Sequence, residues 1–242
     1  MDTRKAIIAG AVLAAAAALV YLVARASIGP SDPTAMVASK DRAVQQKGVA
    51  ALAKGLDSPE GAQRLIQAVK HKDPEIATRA LRSVAAAART PDKPLPTPVL
   101  DAVENAAQDP RPQVKITSIQ VLEAITPPLP DDTQVPEFVL KRFQVETSPL
   151  ARAAAANALG KMLYWPAMES LVGALDDENV EVRGAAATAV QSIVGLRYDY
   201  HAEDPPDKRA AIVAVIKAQW KAQLPFHMEY AKRLKAQRRA NP

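Results

Sequence analysis

The chain has 242 residues, 48% of them apolar, enough to bury a core and too apolar for a disordered chain. Nine glycines and 4% aromatics argue against a β-sandwich or barrel, and the lack of cysteine excludes a disulfide framework, a thiol nucleophile and a cysteine metal site. The net charge of +5 sits at the ends: residues 1–26 carry +2 and residues 229–242 carry +4, leaving residues 27–228 at −1. A near-neutral body lacks the basic stripe that nucleic-acid binding requires.

In chain order, Ala6 to Ala24 is an uncharged run of 19 residues. As a helix it would span about 28 Å, close to the hydrocarbon thickness of a bilayer. Arg4 and Lys5 precede it and Arg25 alone follows closely, so the positive-inside rule holds the N-terminus in the cytoplasm and sends the remainder across. Ala24-Arg25-Ala26 also has the small-x-small form of a signal-peptidase site, which would release a mature chain to the periplasm. The length of the run favours an uncleaved signal anchor, whereas its alanine content weakens it as an anchor; a buried alanine-rich helix is the third reading. Residues 1–26 therefore read as membrane anchor or signal peptide and residues 27–34 as a linker. Asp32-Pro33 is placed to cap and start the first helix after that linker.

From residue 35 to about 224 the chain reads as short amphipathic helices divided by Asp, Pro and Gly. The clearest unit is Leu171 to Ile193. Leu171, Ala174 and Leu175 share one helical face, a polar loop Asp176-Asp177-Glu178-Asn179 comes next, and Val182, Ala186, Val190 and Ile193 form a second stripe. An acid and a base six residues apart mark the start of each second helix: Asp73/Arg79, Asp109/Lys115, Glu146/Arg152 and Asp177/Arg183. Seven residues past the last three bases stand Leu122, Leu159 and Val190, and ten past stand Ile125, Met162 and Ile193. Val103, Leu140 and Leu171 stand six before the acids, so three units share a register in both helices. The Asp73/Arg79 unit is slightly out of phase, with Val84 and Ala88 in the stripe. Successive bases lie 36, 37 and 31 residues apart, a period that marks an α-solenoid, in which each helix pair covers its neighbour's apolar stripe.

These units resemble HEAT repeats of the short bacterial type, with the pattern L-x-x-A-L-x-D…V-x-V-R-x-A-A. Leu171, Ala174, Leu175, Asp177, Val180, Val182, Arg183, Ala185 and Ala186 carry the likeness, which covers roughly residues 60–196. The resemblance implies an all-α, right-handed solenoid of HEAT-like pairs. It also implies a ladder between successive units, with Asp109, Glu146 and Asp177 as acids and Lys115, Arg152 and Arg183 as bases. Lys115 lacks the bidentate fork of arginine, so its rung is expected to be the weakest and Arg183 to matter more.

Chemistry has little to work with. His71, His201 and His227 fall in separate units, and no nucleotide-binding loop, nucleophile elbow or paired metal-ligand spacing occurs. The chain is expected to be no enzyme, to need no cofactor or resident metal, and to bind neither nucleic acid nor a small-molecule substrate. The carboxylates around His201 (Asp199, Glu203, Asp204, Asp207) admit a divalent cation. They are better explained by helix initiation, with Asp204 as N-cap, Pro205 as first helical residue and Asp207 facing the dipole. That helix is expected to end near Gln223, and Pro225 to open a separate basic tail over residues 225–242.

Gln120, Asn157 and Thr188 share one register position on the second helices, with Lys161 and Ser192 four residues on from two of them. On the concave side of a HEAT-type solenoid they would form a polar strip for an extended partner, against an ordinary solvated face as the alternative. Trp165 and Trp220, with Tyr164, Tyr198, Tyr200 and Phe226, either offer a partner-binding pole or seal the end of the core. The sequence is thus read as a non-catalytic scaffold for another protein, tethered to the cell membrane through residues 6–24 with the solenoid outside the cytoplasm. The alternative is an accessory or regulatory subunit of a membrane enzyme complex, with a metal held near His201.

Overall fold

A computed structural model describes residues 32–88, 95–129 and 133–240. The proposed anchor at residues 6–24 lies outside the described residues. Among these residues the secondary structure is helical: α1 (Pro33–Val37), α2 (Arg42–Lys54), α3 (Pro59–Val69), α4 (Pro74–Ala87), α5 (Thr97–Ala106), α6 (Pro112–Ile125), α7 (Gln134–Val145), α8 (Pro149–Lys161), α9 (Met168–Gly173), α10 (Val180–Val194) and α11 (Pro206–Ala240), with short 3-10 turns at Gly55–Asp57, Trp165–Ala167 and Ala174–Asp176. None of them is long and apolar enough to cross a membrane.

The prolines explain how a chain with 20 of them stays helical. Pro33, Pro59, Pro74, Pro112 and Pro149 each open a helix, where the missing N–H has no intrahelical partner to lose. Side chains cap several of the same starts. Asp32 accepts from Ala35 N at 3.1 Å, Ser58 from Gly61 N at 3.1 Å, and Asn179 from Glu181 N at 3.0 Å. Residues 35–56 hold two helices, because Asp41 accepts from Ala43 N at 2.7 Å and restarts the chain at α2.

The helices pair as α1–α2, α3–α4, α5–α6, α7–α8 and α9–α10, and the second members stack in one layer as α2, α4, α6, α8 and α10. In the first-member layer only α3 and α5 pack closely on each other. The second helices, the more closely packed layer, form the face that the HEAT-like resemblance expects on the concave side, called the inner face below. The stripes of both layers make the core: Leu122, Leu159, Val190, Met162, Ile193, Val103 and Leu171 are buried, with Leu140 and Ile125 half-buried against them. The α8–α10 contact is the closest in the stack, and alanine and glycine make it so. A Cβ on Gly160 would lie 2.6 Å from Ala189 Cα, closer than packed atoms approach. Gly195 ends α10 in the left-handed region at φ 73°, the geometry that frees glycine from a Cβ clash.

The C-terminal end differs from expectation. α11 starts at Pro206, not Pro205, whose carbonyl instead accepts from Arg209 N at 3.1 Å. With two adjacent prolines fixing φ, either can open the helix, and the turn bond from Asp204 N to His201 O at 3.1 Å selects the second. Nor does a separate tail begin at Pro225, because α11 runs through it for 35 residues. Pro225 is exposed on the side away from buried Ile216, so water can take up the carbonyl that its missing N–H leaves unpaired.

Candidate partner-binding face

The loop ahead of each second helix is built on one repeated contact. An acidic side chain accepts the backbone N–H two residues on: Asp41 from Ala43 (2.7 Å), Asp73 from Glu75 (2.8 Å), Asp109 from Arg111 (2.8 Å), Glu146 from Ser148 (2.9 Å) and Asp177 from Asn179 (2.9 Å). Negative charge is favoured there by the helix's free N–H groups. Asp41 was legible in the sequence by the same rule, since Lys47 stands six residues after it.

The bases connect the units in the middle of the stack. Lys115 Nζ lies 3.1 and 3.0 Å from the two oxygens of Glu146, in the next unit. Arg152 Nη2 lies 2.9 and 2.8 Å from the oxygens of Asp177, in the unit after that, while its Nη1 donates back to Glu146 O at 3.1 Å. Arg152 thus holds both its own turn and the next, while Lys115 holds the next.

At the ends the expected pairing fails. Asp109 is engaged by Arg111 through two short bonds of 2.8 and 2.7 Å, and Arg111 Nη1 donates to His71 O and Lys72 O at 2.8 Å. With Asp109 occupied, Arg79 turns to Val37 O at 2.7 Å. Arg183 pairs with no carboxylate among the described residues; it donates to Ala202 O and Asp177 O at 2.7 Å and to Glu178 O at 3.1 Å. Asp177 and Arg183 therefore do not pair through their side chains.

Electrostatics single out Glu146, the one charged residue in the buried set. Burial alone would raise its pKa, but the Ser148 N–H, the Lys115 ammonium and Arg142 outweigh it and hold the carboxyl below its ordinary value. The Arg111 side chain likewise lowers Asp109.

The inner face presents a different set. Gln120, Asn157, Thr188, Lys161 and Ser192 are all exposed on the outward side of α6, α8 and α10. Thr188 Oγ1 donates to Gly184 O at 3.0 Å and Ser192 Oγ to Thr188 O at 2.9 Å, so these hydroxyls are partly engaged by their own helix. Lys161 Nζ meets Glu123 Oε1 of the preceding second helix at 2.5 Å. Gln120 and Asn157 have no hydrogen-bond partner among the described residues and are the free amides of the row. Sequence reasoning missed Leu150, which is 62% exposed on the same face of α8 as Asn157. Its signal was an apolar residue at a register position held by Gln113 and Glu181 in the flanking units.

The aromatic group divides. Tyr200 is buried and donates its hydroxyl to Leu175 O, and Tyr164 is buried too; Tyr198, Trp165 and Trp220 pack half-buried on the core. Burial raises all three of the tyrosines Tyr164, Tyr198 and Tyr200. These rings are packed into the core. Phe226 is not, at 69% exposure.

The acidic loop is spent locally. Among the described residues no group of three or more His, Asp or Glu is arranged to hold a metal ion. Asp204 meets Lys208 at 3.0 Å, its carbonyl takes Arg209 Nη1 at 2.7 Å, and His201 Nε2 lies 3.0 Å from Asp199. The expected capping role of Asp204 is thus replaced by these contacts.

Neither a family model nor a curated protein matches the chain. Solved structures do. An archaeal HEAT-like repeat protein from Thermococcus onnurineus NA1 is 13% identical, with 77% of this chain and 86% of that one covered at a TM-score of 0.44. The CpcE–CpcF complex of phycocyanin lyase from Nostoc sp. PCC7120 matches at 17% identity over 66% of this chain and 99% of that one, TM-score 0.45. A designed armadillo repeat protein in complex with the peptide (KR)4 matches at 15% identity, with 80% and 92% covered and a TM-score of 0.42.

Proposed function

We propose that this all-α stack of helix pairs is a non-catalytic scaffold binding an extended polypeptide along its inner face. The observation that carries this reading is the row of side chains aligned across three second helices: Gln120 and Asn157 are exposed amides with no partner among the described residues, beside exposed Leu150. An extended backbone offers alternating N–H and C=O groups to such amides, and Leu150 adds an apolar contact. The proposal includes a tether through residues 6–24 that places the solenoid outside the cytoplasm, supported by the uncharged run and the charge asymmetry around it.

The test is affinity capture of the full chain from detergent-solubilised membranes, with mass spectrometry of co-purifying proteins. A photo-crosslinker at Asn157 should trap the captured partner, and Asn157→Arg with Gln120→Arg should abolish capture while leaving the melting temperature within a few degrees. Capture that survives this double change, with no crosslink from Asn157, would place the partner elsewhere. For the address, a C-terminal alkaline phosphatase fusion should be active; an inactive fusion recovered in the cytosol rejects the tether.

A further inference from the structure

α11 does more than close the stack. Arg209, Ile212, Val213, Ile216 and Trp220 form the face that meets the last unit, with Ile216 at 1% exposure; among the described residues no apolar side chain beyond Trp220 packs on the core, and His227 lies tilted against Trp220 with ring centroids 5.1 Å apart. Yet the stripe does not stop there. At 100° per residue, Trp220, Leu224, Phe226, Tyr230 and Leu234 all fall within about 80° of the Ile216 direction, an arc they share with Gln223, His227 and Gln237. Leu224 to Ala240, about 26 Å of helix, therefore runs on with Phe226 and Tyr230 exposed and Leu224 and Leu234 half-buried. Phe226 is 69% and Tyr230 43% exposed, with their rings stacked 6.3 Å apart.

Charge decides what covers this face. Residues 229–242 carry five basic side chains against Glu229. Exposed Lys217 lies along one border of the stripe and exposed Arg233 along the other, with exposed Lys221 and Lys232 farther round toward the opposite side. A second copy would bring the same positive charge to the same face, so the occupant is anionic. Both borders are basic and the helix is convex, with no cleft of its own. A flat surface of anionic headgroups meets both borders at once, while the rings enter the boundary below.

We propose that the C-terminal half of α11 is an interfacial helix, lying on an anionic lipid surface through Leu224, Phe226, Tyr230 and Leu234. The binding does not depend on residues 6–24 and adds to any tether they provide.

Because the chain has no cysteine, Ala231→Cys gives a single labelling site in the stripe. The full chain carrying an environment-sensitive dye there is reconstituted with vesicles of equimolar phosphatidylglycerol and phosphatidylcholine, or of phosphatidylcholine alone. The expected result is a blue shift and quenching by spin-labelled lipid in the anionic vesicles. Both should fall several-fold in the neutral ones and in Phe226→Ser/Tyr230→Ser. The residues replaced are exposed, so the solenoid's helicity and melting serve as the folding control. Equal quenching in both vesicles, or no change on the double substitution, overturns the proposal. So does a lipid-free dimer that depends on Phe226 and Tyr230, which assigns the face to a second copy. Burial of the dye by polyglutamate but not by anionic vesicles assigns it to an acidic polypeptide and overturns it equally.

Discussion

Replacing Lys115 with Met should destabilise the protein more than replacing Arg183 with Ala, the reverse of what the sequence suggests. Lys115 and Glu146 are 15% and 3% exposed at the side chain and sit 3.0 Å apart. Removing one partner of a buried pair typically costs about 3–5 kcal/mol, because the remaining charge has no water to return to. Two groups soften that loss: Ser148 N donates to Glu146 at 2.9 Å, and Arg142 lies 3.5 Å away. We therefore expect about 2–3 kcal/mol for Lys115→Met. Arg183→Ala removes three bonds to carbonyls, two of them partly buried, at about 1–2 kcal/mol in all. Adding Glu146→Gln to Lys115→Met should recover much of the loss, since the amide keeps an acceptor for Ser148 without the charge. Urea melts monitored by circular dichroism, with hydrogen exchange over α6–α8 to localise the change, supply the measurement. The pH dependence has a fixed sign. The Glu146 pKa is lower folded than unfolded, so its contribution is complete above the ordinary carboxylate value and is lost as pH falls through the folded one. Lys115→Met should flatten that acid limb. A smaller cost for Lys115→Met than for Arg183→Ala, or an unchanged acid limb, would refute the assignment of Glu146 as the buried node.

The second rung predicts a coupling: Arg152→Ala and Asp177→Ala should be non-additive by about 1 kcal/mol or more, whereas Asp177→Ala and Arg183→Ala should add, and a double-mutant cycle separates them. Close packing gives a contrast between glycines. Gly160→Ala should destabilise by about 1–3 kcal/mol because its Cβ meets the Ala189 backbone, while Gly173→Ala, with nothing within 4 Å, should be neutral or slightly stabilising by thermal melt.

The stack was legible because each unit repeats a spacing that packing enforces. Leu122, Leu159 and Val190 are buried at equivalent positions since a helix pair has only one stripe to offer its neighbour. Asp177 as the acid ahead of α10 was legible for the same reason. Local spacing alone points to Arg183 as its partner, whereas the ladder between successive units that the resemblance implies points to Arg152, the residue its carboxylate meets. Arg111 was invisible. Two residues from Asp109, it is too close to resemble a ladder base, yet it competes for the carboxylate and wins. The continuation of α11 through Pro225 was missed because proline reads as a breaker wherever the exposure of its turn is unknown.

The pairing pattern also explains why the units are held unequally. Carboxylate rungs join the α5–α6 pair to α7–α8 and that pair to α9–α10, where a base finds an acid in the next loop. Toward both ends the same kinds of side chain are spent on carbonyls: Arg79 on Val37 and Arg183 on Ala202. A charge-assisted bond to a buried carboxylate is stronger than one to a carbonyl, and each rung fixes two loops at once. In a stack stabilised by nearest-neighbour contacts, the interior units are then the last to open. The inner-face amides Gln120 and Asn157 lie on α6 and α8, the helices that carry the rung bases Lys115 and Arg152. The row offered to a partner is thus built on the part of the stack with the firmest internal ties, and binding there need spend little on ordering the protein first.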